Sequence, residues 1–291
     1  MHRRARRNIA LLWVVIGSLV AASCNPPAAV ANFASLAGQT VARGGPIYED
    51  IHDSCLRRQA DEAHLQPEYL NQDSAENSAA PSNGACASLV PSVKEVQQAS
   101  SVLAGYFRAV QQLAAFDESQ VSTQAMHTGA SLSTAAVLSS TQVDAVSKLS
   151  GLITEVATRH YRRAKLRDIV TEADPHIAAI TEGLETVISK DYAGLLDEEQ
   201  RAISRRYRLV SRVNEPATVL LLNRAYSQDV ADLERRRQTA RAYASALKEI
   251  RDAHHDMAGR AAQLGSKQVT MALQPYISQL QAATPKLQEA R

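Results

Sequence analysis

The side chains that could bind a metal ion are few and poorly arranged for it. Glu49 and His52 form one Glu-x-x-His motif, whereas di-iron helical bundles take their ligands from two such motifs and two further glutamates. His254 and His255 are adjacent, and neighbours on a helix point about 100° apart, which disfavours a shared ion. We expect no metal and no other cofactor, and we interpret Glu49 and His52 as part of a solvated helix face and His254 as an interfacial histidine.

Motifs for catalysis or nucleotide binding are missing from the sequence. It contains no nucleophile elbow, no P-loop and no dinucleotide-binding fingerprint. Aromatic residues make up 4% of the chain, which leaves few rings for stacking on sugars or bases. Lys and Arg number 32 against 30 Asp and Glu, so no strong charge favours nucleic acid. We expect a protein that is not an enzyme and that binds neither nucleic acid nor a small-molecule substrate.

A row of arginines is the strongest candidate for a binding surface. Arg201, Arg205, Arg208 and Arg212 recur at steps of four, three and four, which places them on one face of a helix. Such a face could contact anionic lipid head groups or an acidic polymer. The alternative is a solvated face whose charge is neutralised by Asp197–Glu199 and by neighbouring helices.

The N-terminus has the regions of an export signal. Four arginines within residues 3–7 precede an apolar stretch of twelve residues, Ile9–Val20, which is shorter than the roughly 20 residues of a membrane span. The next residues, Ala21-Ala22-Ser23-Cys24, resemble the lipobox of bacterial lipoproteins. The resemblance covers residues 1–24 only. It implies that the Cys24 thiol is diacylated, that the chain is cut before it, and that the new amino group is acylated with a fatty acid such as palmitate.

Two residues of this segment bear on the processing and sorting of the exported chain. Ala21 stands where the lipoprotein family prefers Leu, so cleavage near Ala-Ala-Ser without lipid and retention of an uncleaved anchor are the alternatives. Asn25, rather than Asp, comes after the cysteine, and by resemblance to sorting in Gram-negative bacteria this favours the outer membrane over the inner one. We expect a lipid-anchored protein of the cell envelope that faces the periplasm.

Cys55 and Cys86 are the two cysteines of the chain besides Cys24. In an exported protein such a pair is typical of a disulfide, and the stretch between them is polar and contains Pro67 and Pro81. A bridge would close a loop of about 30 residues and stabilise the fold by roughly 3–4 kcal/mol in the chain-entropy model. Two free thiols or a metal-bound pair are the alternatives, although neither cysteine has the C-x-x-C spacing of metal sites.

Beyond the N-terminal segment, apolar residues recur at the steps of three and four that are typical of helices. Strands would instead need strict alternation. One such stripe is Val96, Ala99, Leu103, Tyr106, Val110 and Leu113, and a second is Tyr243, Leu247, Ile250, His254, Met257, Ala261 and Leu264. Only 10 prolines and 12 glycines in 291 residues argue against an all-β chain. The spacing predicts an all-α fold, an elongated antiparallel bundle of long, partly kinked helices with coiled-coil-like packing.

Helix breakers predict where these helices begin and end. Breaks are expected at Gly44-Gly45-Pro46, at Asn214-Glu215-Pro216 and at Gly265, and a helix is expected to begin near Pro91. Asp174-Pro175 predicts either a kink or a new helix start within a long helix.

Two capping boxes predict further helix starts. The first pairs Asp117 with Gln120, and the second pairs Asp197 with Gln200. At this spacing each side chain can accept a hydrogen bond from the backbone N–H of the other residue, which caps the first turn of a helix. The segment after Asp117, rich in Ser and Thr to about Ser140, has the weakest helical pattern.

These patterns divide the chain into three parts and together suggest a role for the whole protein. Residues 1–23 are a removable signal peptide, residues 24–90 a tether with N-terminal helices and a disulfide-closed polar loop, and residues 91–291 the helical bundle. We expect a scaffold or partner-binding subunit of the bacterial envelope, with the membrane bound through the N-terminal lipid and an unidentified envelope protein as partner. The alternative is a membrane-active helical protein of the pore-forming-toxin type, whose nearest apolar candidate, residues 217–222, is only six residues long.

Overall fold

The computed structural model describes residues 26–63, 84–115, 137–158, 163–210 and 216–288, and these residues fold into helices without a strand. The all-α prediction is confirmed. The helices are α1 Pro26–Ala42, α2 Gly45–Ala63, α3 Leu89–Ala115, α4 Ser140–Thr158, α5 Arg163–Thr186, α6 Ala193–Val210, α7 Pro216–Gly259 and α8 Lys267–Gln288. A helical turn, Gly84–Ala87, precedes α3, and a 3-10 turn, Ala261–Gln263, follows α7. A π-helical segment, Val187–Tyr192, joins α5 to α6.

The predicted breaks agree with the observed helix ends. α1 ends two residues before Gly44, and α2 begins at Gly45. α7 begins at Pro216, where the pyrrolidine ring suits a first helical position, and Gly265 separates α7 from α8. Pro91 lies in the first turn of α3, which begins at Leu89.

No new helix starts at Asp174-Pro175 or at Asp197. Of the two alternatives at Asp174-Pro175, the new helix start is wrong and the kink stays a prediction. α5 continues through Pro175, because buried apolar residues recur on both sides of it and their packing outweighs the lost backbone hydrogen bond. α6 likewise continues through Asp197, so no helix starts there. The Asp197 carboxylate accepts a hydrogen bond from Arg237 at 2.5 Å instead of capping α6. The capping box at Asp117 lies outside the described residues.

A single apolar cluster includes residues of all eight helices. It therefore extends across residue 90, where the sequence predicted the boundary between the N-terminal part and the bundle. Of the first predicted stripe, the residues from Val96 to Val110 are buried and Leu113 packs against the cluster. Of the second, the residues from Tyr243 to Ala261 are buried and Leu264 packs against the cluster. The sequence periodicity therefore identifies the faces that form the core.

Contacts between residues distant in sequence show the relative direction of three pairs of helices. The rings of Phe33 and Phe107 pack 5.8 Å apart, and the Ser100 hydroxyl donates to the Val41 carbonyl at 3.2 Å, so α1 and α3 are antiparallel.

The two C-terminal helices also run antiparallel. The Thr239 hydroxyl donates to the Lys286 carbonyl at 3.4 Å, and the Tyr276 hydroxyl donates to Asp256 at 3.0 Å. As residue numbers rise along α7, those of its contacts on α8 fall. Antiparallel packing thus continues to the end of the described chain.

α2 and α6 run parallel to each other. The Ser54 hydroxyl donates to Glu199 at 2.6 Å, and Arg205 donates to Glu62 at 2.8 Å, so positions rise together along both helices. We call α2, α6 and residues 216–240 of α7 the distal lobe. It is distal because Leu220 precedes His254 by 34 positions on α7, a separation of roughly 50 Å along the helix axis.

A disulfide closes one side of the distal lobe. Cys55 of α2 is bonded to Cys86 in the helical turn before α3, with the two Cα atoms 5.8 Å apart. The predicted bridge is present. Cys24, the predicted lipid acceptor, and the signal segment lie outside the described residues. None of the helices in the described ranges is both long enough and apolar enough to cross a membrane.

Candidate interaction surface

The arginine row lies on the outer face of α6. Arg201, Arg205 and Arg208 are exposed, whereas Arg212 lies outside the described residues. Arg205 pairs with Glu62 of the parallel helix α2, and the Nε atom of Arg208 donates to the Ser204 carbonyl at 3.2 Å. The helical spacing thus places the three described arginines on one surface, as predicted.

The acidic residues expected to neutralise this row have other partners. Asp197 pairs with Arg237 of α7, and Glu198 lies 3.5 Å from Arg58 of α2. Glu199 points into the lobe and is buried. Asp197 and Glu198 thus pair with arginines of neighbouring helices, although Asp197 also lines the depression along the row. The expected neutralisation by a neighbouring helix is present at Arg205, which pairs with Glu62.

A groove of about 540 Å³ lies beside the arginine row, between α6 and the first turns of α7. Its walls combine aromatic and aliphatic side chains with a few polar ones. They are Ser204, Tyr207, Arg208, Val219, Leu222, Asn223 and Tyr226. A shallower depression along the row itself shares Ser204 and Arg208 with this groove, so the two form one continuous surface.

Aromatic packing and ion pairs hold the groove in shape. The rings of Tyr207 and Tyr226 meet edge to face, 5.0 Å apart, and the Tyr207 hydroxyl donates to Asp229 at 3.1 Å. The Arg206 guanidinium lies 4.7 Å from the centre of the Tyr207 ring and also donates to Asp61 and Asp229. These contacts join α2, α6 and α7, so the aromatic wall of the groove is fixed by three helices.

Two leucines next to the groove project into solvent. Leu220 is 72% exposed and Leu221 is 68% exposed, although a leucine of a monomeric protein usually gains by burial. Both belong to the segment 217–222 that the sequence marked as apolar. We call the arginine row, the groove and Leu220 together the tip surface, since they occupy the end of the distal lobe.

The distal lobe also contains a partly buried ionic network around Glu199 that sequence reasoning did not predict. Glu199 accepts hydrogen bonds from both terminal nitrogens of Arg236, at 2.8 and 2.7 Å, from Arg57 at 2.8 Å and from Ser54 at 2.6 Å. Burial alone would raise the pKa of Glu199, but the hydrogen bonds from Arg236, Ser54 and Arg57 hold that pKa below its ordinary value. The carboxylate is therefore charged and fully partnered.

Asp50 completes the network from α2. It accepts from Arg57 at 2.6 Å, from Arg236 at 3.3 Å and from the hydroxyl of Tyr192, the last residue of the π-helical segment. Burial and the neighbouring Asp50 carboxylate raise the Tyr192 pKa far above its ordinary value, so Tyr192 acts as a neutral donor. Two carboxylates and two arginines thus balance in charge and connect α2, α6 and α7. Because each carboxylate is already held by both arginines, we assign the four side chains a structural role.

A signal for this network exists in the sequence. Leu196, Glu199 and Ile203 follow the three-four spacing of an apolar stripe, and so do Leu233, Arg236 and Ala240. A charged residue at a stripe position indicates a buried charge, which requires a partner of opposite sign on a packed helix.

The histidine pair shares a carboxylate. The Nδ1 atom of buried His254 lies 3.0 Å from one oxygen of Asp174, and that of exposed His255 lies 2.8 Å from the other. The remaining nitrogen of His254 contacts the Tyr106 hydroxyl at 2.8 Å. Burial lowers the pKa of His254, and its hydrogen bond to Asp174 opposes that effect without cancelling it. His254 is thus an interfacial histidine joining α3, α5 and α7.

Among the described residues, no group of three His, Cys, Asp or Glu side chains is arranged to hold a metal ion. Comparison with known proteins finds no matching family model, no similar curated protein and no similar solved structure.

Proposed function

We propose that this chain is a non-catalytic, lipid-anchored helical protein of the bacterial cell envelope. Cys24 is the lipid acceptor, the anchor lies in the outer membrane, and the helical body faces the periplasm. The protein acts as a scaffold or partner-binding subunit, and the tip surface is the part that meets the partner. This function requires neither a cofactor nor a small-molecule substrate.

The separation between the anchor and the tip surface carries the proposal. In the sequence, Cys24 is two positions before Pro26, the first residue of α1. Phe33 of α1 packs on Phe107, whose ring also contacts His254, so α1 begins near the C-terminal end of α7. The tip surface lies at the opposite end of α7, roughly 50 Å away. An anchored bundle of this form holds its exposed apolar and basic surface away from the anchoring lipid.

The second candidate is a membrane-active helical protein. The exposed Leu220 and Leu221 favour it, because leucines next to arginines are typical of helices that bind lipid interfaces. In this alternative the tip surface inserts into a bilayer instead of binding a protein.

Fatty-acid labelling in a bacterial host tests the anchor. Cells producing the chain are fed a clickable palmitate analogue, and the labelled protein is resolved by electrophoresis and by separation of inner and outer membranes. We expect label in the outer-membrane fraction and none in the Cys24→Ser variant. The matched control is Cys86→Ser, which should keep the label. An unlabelled wild type, or a labelled Cys24→Ser chain, would contradict the proposal.

A further inference from the structure

We infer that the tip surface binds an acidic amphipathic helix of a partner protein. This inference rests on the proposed function and names its partner chemistry. The occupant we assign places apolar side chains in the groove between α6 and α7 and carboxylates against the arginine row. Binding of a helix in a groove between two helices is an established mode of peptide recognition.

The spacing of the arginines carries the first part of the argument. Arg201, Arg205 and Arg208 follow steps of four and three, so their side chains form a line parallel to the axis of α6. A second helix lying along α6 would present carboxylates with the same steps, and each would meet one guanidinium. An anionic membrane is flat, and binding to it does not require arginines at that spacing.

The groove carries the second part. Its volume of about 540 Å³ is bounded by the rings of Tyr207 and Tyr226 and by Leu222, and Arg208 lies at its edge. Rigid aromatic side chains beside an arginine are the residue types that dominate binding energy in protein interfaces. Because the rings are already fixed by Arg206 and by packing on each other, little ordering is required on binding.

The charges near the row disfavour a lipid bilayer as the occupant. Asp197 lines the same depression as the arginines, and Glu62 pairs with Arg205. The carboxylates therefore offset much of the attraction to anionic head groups, which depends on summed charge. A partner helix can avoid these carboxylates by its own sequence, whereas a membrane surface cannot.

A second copy of the chain is also a poorer occupant. Glu249, Asp252 and Asp256 on α7 form a line of carboxylates with steps of three and four. Asp252 and Asp256 already pair with Arg251 and Arg260 of their own chain. An external helix with unpaired carboxylates matches the arginine row better.

A charge-swap binding experiment tests the inference. The probe is a stapled helical peptide of about 15 residues, roughly 22 Å long, with leucines on one face, glutamates beside them at the steps of the arginine row, and one photoreactive leucine. Its affinity for the full chain in detergent is measured by fluorescence anisotropy, and the crosslinked residues are found by mass spectrometry. A second peptide has lysine in place of each glutamate.

Two variants with equal charge change provide the comparison. Arg201→Glu/Arg208→Glu alters the tip surface and leaves the Arg205–Glu62 pair intact. Lys94→Glu/Lys148→Glu alters exposed lysines of α3 and α4, outside the distal lobe. Circular dichroism confirms that both retain the helix content of the wild type. The detergent is the same throughout, so partition of the peptide into micelles affects all samples equally.

We expect the glutamate peptide to crosslink to residues 204–208 or 219–226 of the wild type and of the lysine variant, with affinities within about twofold of each other. The arginine variant should bind it roughly tenfold more weakly and should bind the lysine peptide better than the wild type does. Equal affinity of all three proteins, or crosslinks elsewhere, would overturn the inference.

Two further measurements test whether a lipid bilayer or a second copy of the chain occupies the tip surface instead. Flotation with vesicles of phosphatidylglycerol and phosphatidylcholine tests the bilayer, and sedimentation velocity tests self-association. Binding to the anionic vesicles that depends on Arg201 and Arg208, without peptide crosslinks at the tip, would assign the surface to lipid and refute the helix. Self-association that the arginine variant abolishes would assign it to a second copy. If the glutamate peptide does not bind while Cys24 carries the palmitate label, the helix-binding inference is wrong and the lipid anchor is retained. If Cys24 is unlabelled, the lipid anchor is wrong whether or not the peptide binds.

Discussion

Replacing Glu199 with Gln tests the buried ionic network of the distal lobe. Four hydrogen bonds end on this carboxylate, from Ser54, Arg57 and both terminal nitrogens of Arg236. The amide of Gln keeps an acceptor at only one of the two oxygen positions. With its nitrogen facing Ser54, the serine hydroxyl turns round to accept and only one bond from Arg236 is lost, whereas with its nitrogen facing Arg57 two bonds are lost. Hydrogen bonds to charged groups contribute roughly 1.5–3 kcal/mol each, and breaking a buried ion pair costs roughly 3–5 kcal/mol. Because Arg57 is partly exposed and water can solvate it, we expect a loss of about 3 kcal/mol in the free energy of unfolding.

Glu198→Gln is the matched control, one position away. The Glu198 side chain is 43% exposed and lies 3.5 Å from Arg58, so its neutralisation should cost less than about 1 kcal/mol. Urea unfolding followed by circular dichroism measures both, since the one tryptophan, Trp13, lies in the predicted signal peptide. Hydrogen exchange of α2 should rise in the Glu199 variant and not in the control. Equal costs for the two variants would refute the assigned role of the network.

The pH dependence gives an independent test of the same group. The pKa of Glu199 is held below its ordinary value of 4.5, so its stabilisation is present above that pH and is lost as pH falls through the folded-state pKa. Between about pH 5 and pH 3, the wild type should therefore lose more stability than Glu199→Gln. An identical loss in the two proteins would show that Glu199 does not contribute this linkage.

Three further perturbations have expected outcomes in thermal or urea unfolding. Gly44→Ala should destabilise the fold by about 1–3 kcal/mol, because the new Cβ would overlap the Tyr243 ring. Gly45→Ala, which places its Cβ with no atom within 4 Å, should be nearly neutral. Similar losses of stability in the two variants would contradict the packing of Tyr243 on Gly44. Cys86→Ala should destabilise by about 3–4 kcal/mol, since it reopens a loop with a sequence separation of 31, and no loss would mean that the bridge does not constrain the unfolded chain. Burial lowers the pKa of His254 from 6.5 in the folded chain. As the pH drops below about 6.5, His254 is therefore protonated in the unfolded chain before it is protonated in the folded one, and the stability of the fold should decrease. His254→Gln should reduce that slope, and an unchanged slope would exclude His254 as its source.

The core of this bundle was predictable because helical packing repeats a simple pattern. The stripe from Tyr243 to Met257 is buried, because steps of three and four place those side chains on one face. Pro175 shows the limit of local signals, since the packing of the residues around it outweighs the helix-breaking effect of one proline.

The candidate site was predictable only in part. The spacing of Arg201, Arg205 and Arg208 placed them on one face, but a single helix pattern does not show which helix packs beside it. The groove formed by Tyr207 and Tyr226 depends on the angle at which α6 and α7 meet, and that angle is set by tertiary contacts. The partners of Glu199 lie 142 to 145 positions before it and 37 after it, beyond the reach of local patterns.

Photocrosslinking in intact cells tests the central claim most directly. A photoreactive amino acid replaces Leu220 at the tip surface or Lys148 on α4, and the adducts are resolved together with the palmitate label at Cys24. Binding of a partner at the far end of an anchored bundle predicts discrete protein adducts of the lipid-labelled chain from position 220 and none from position 148. The same adducts from both positions, or lipid adducts alone from position 220, would contradict it.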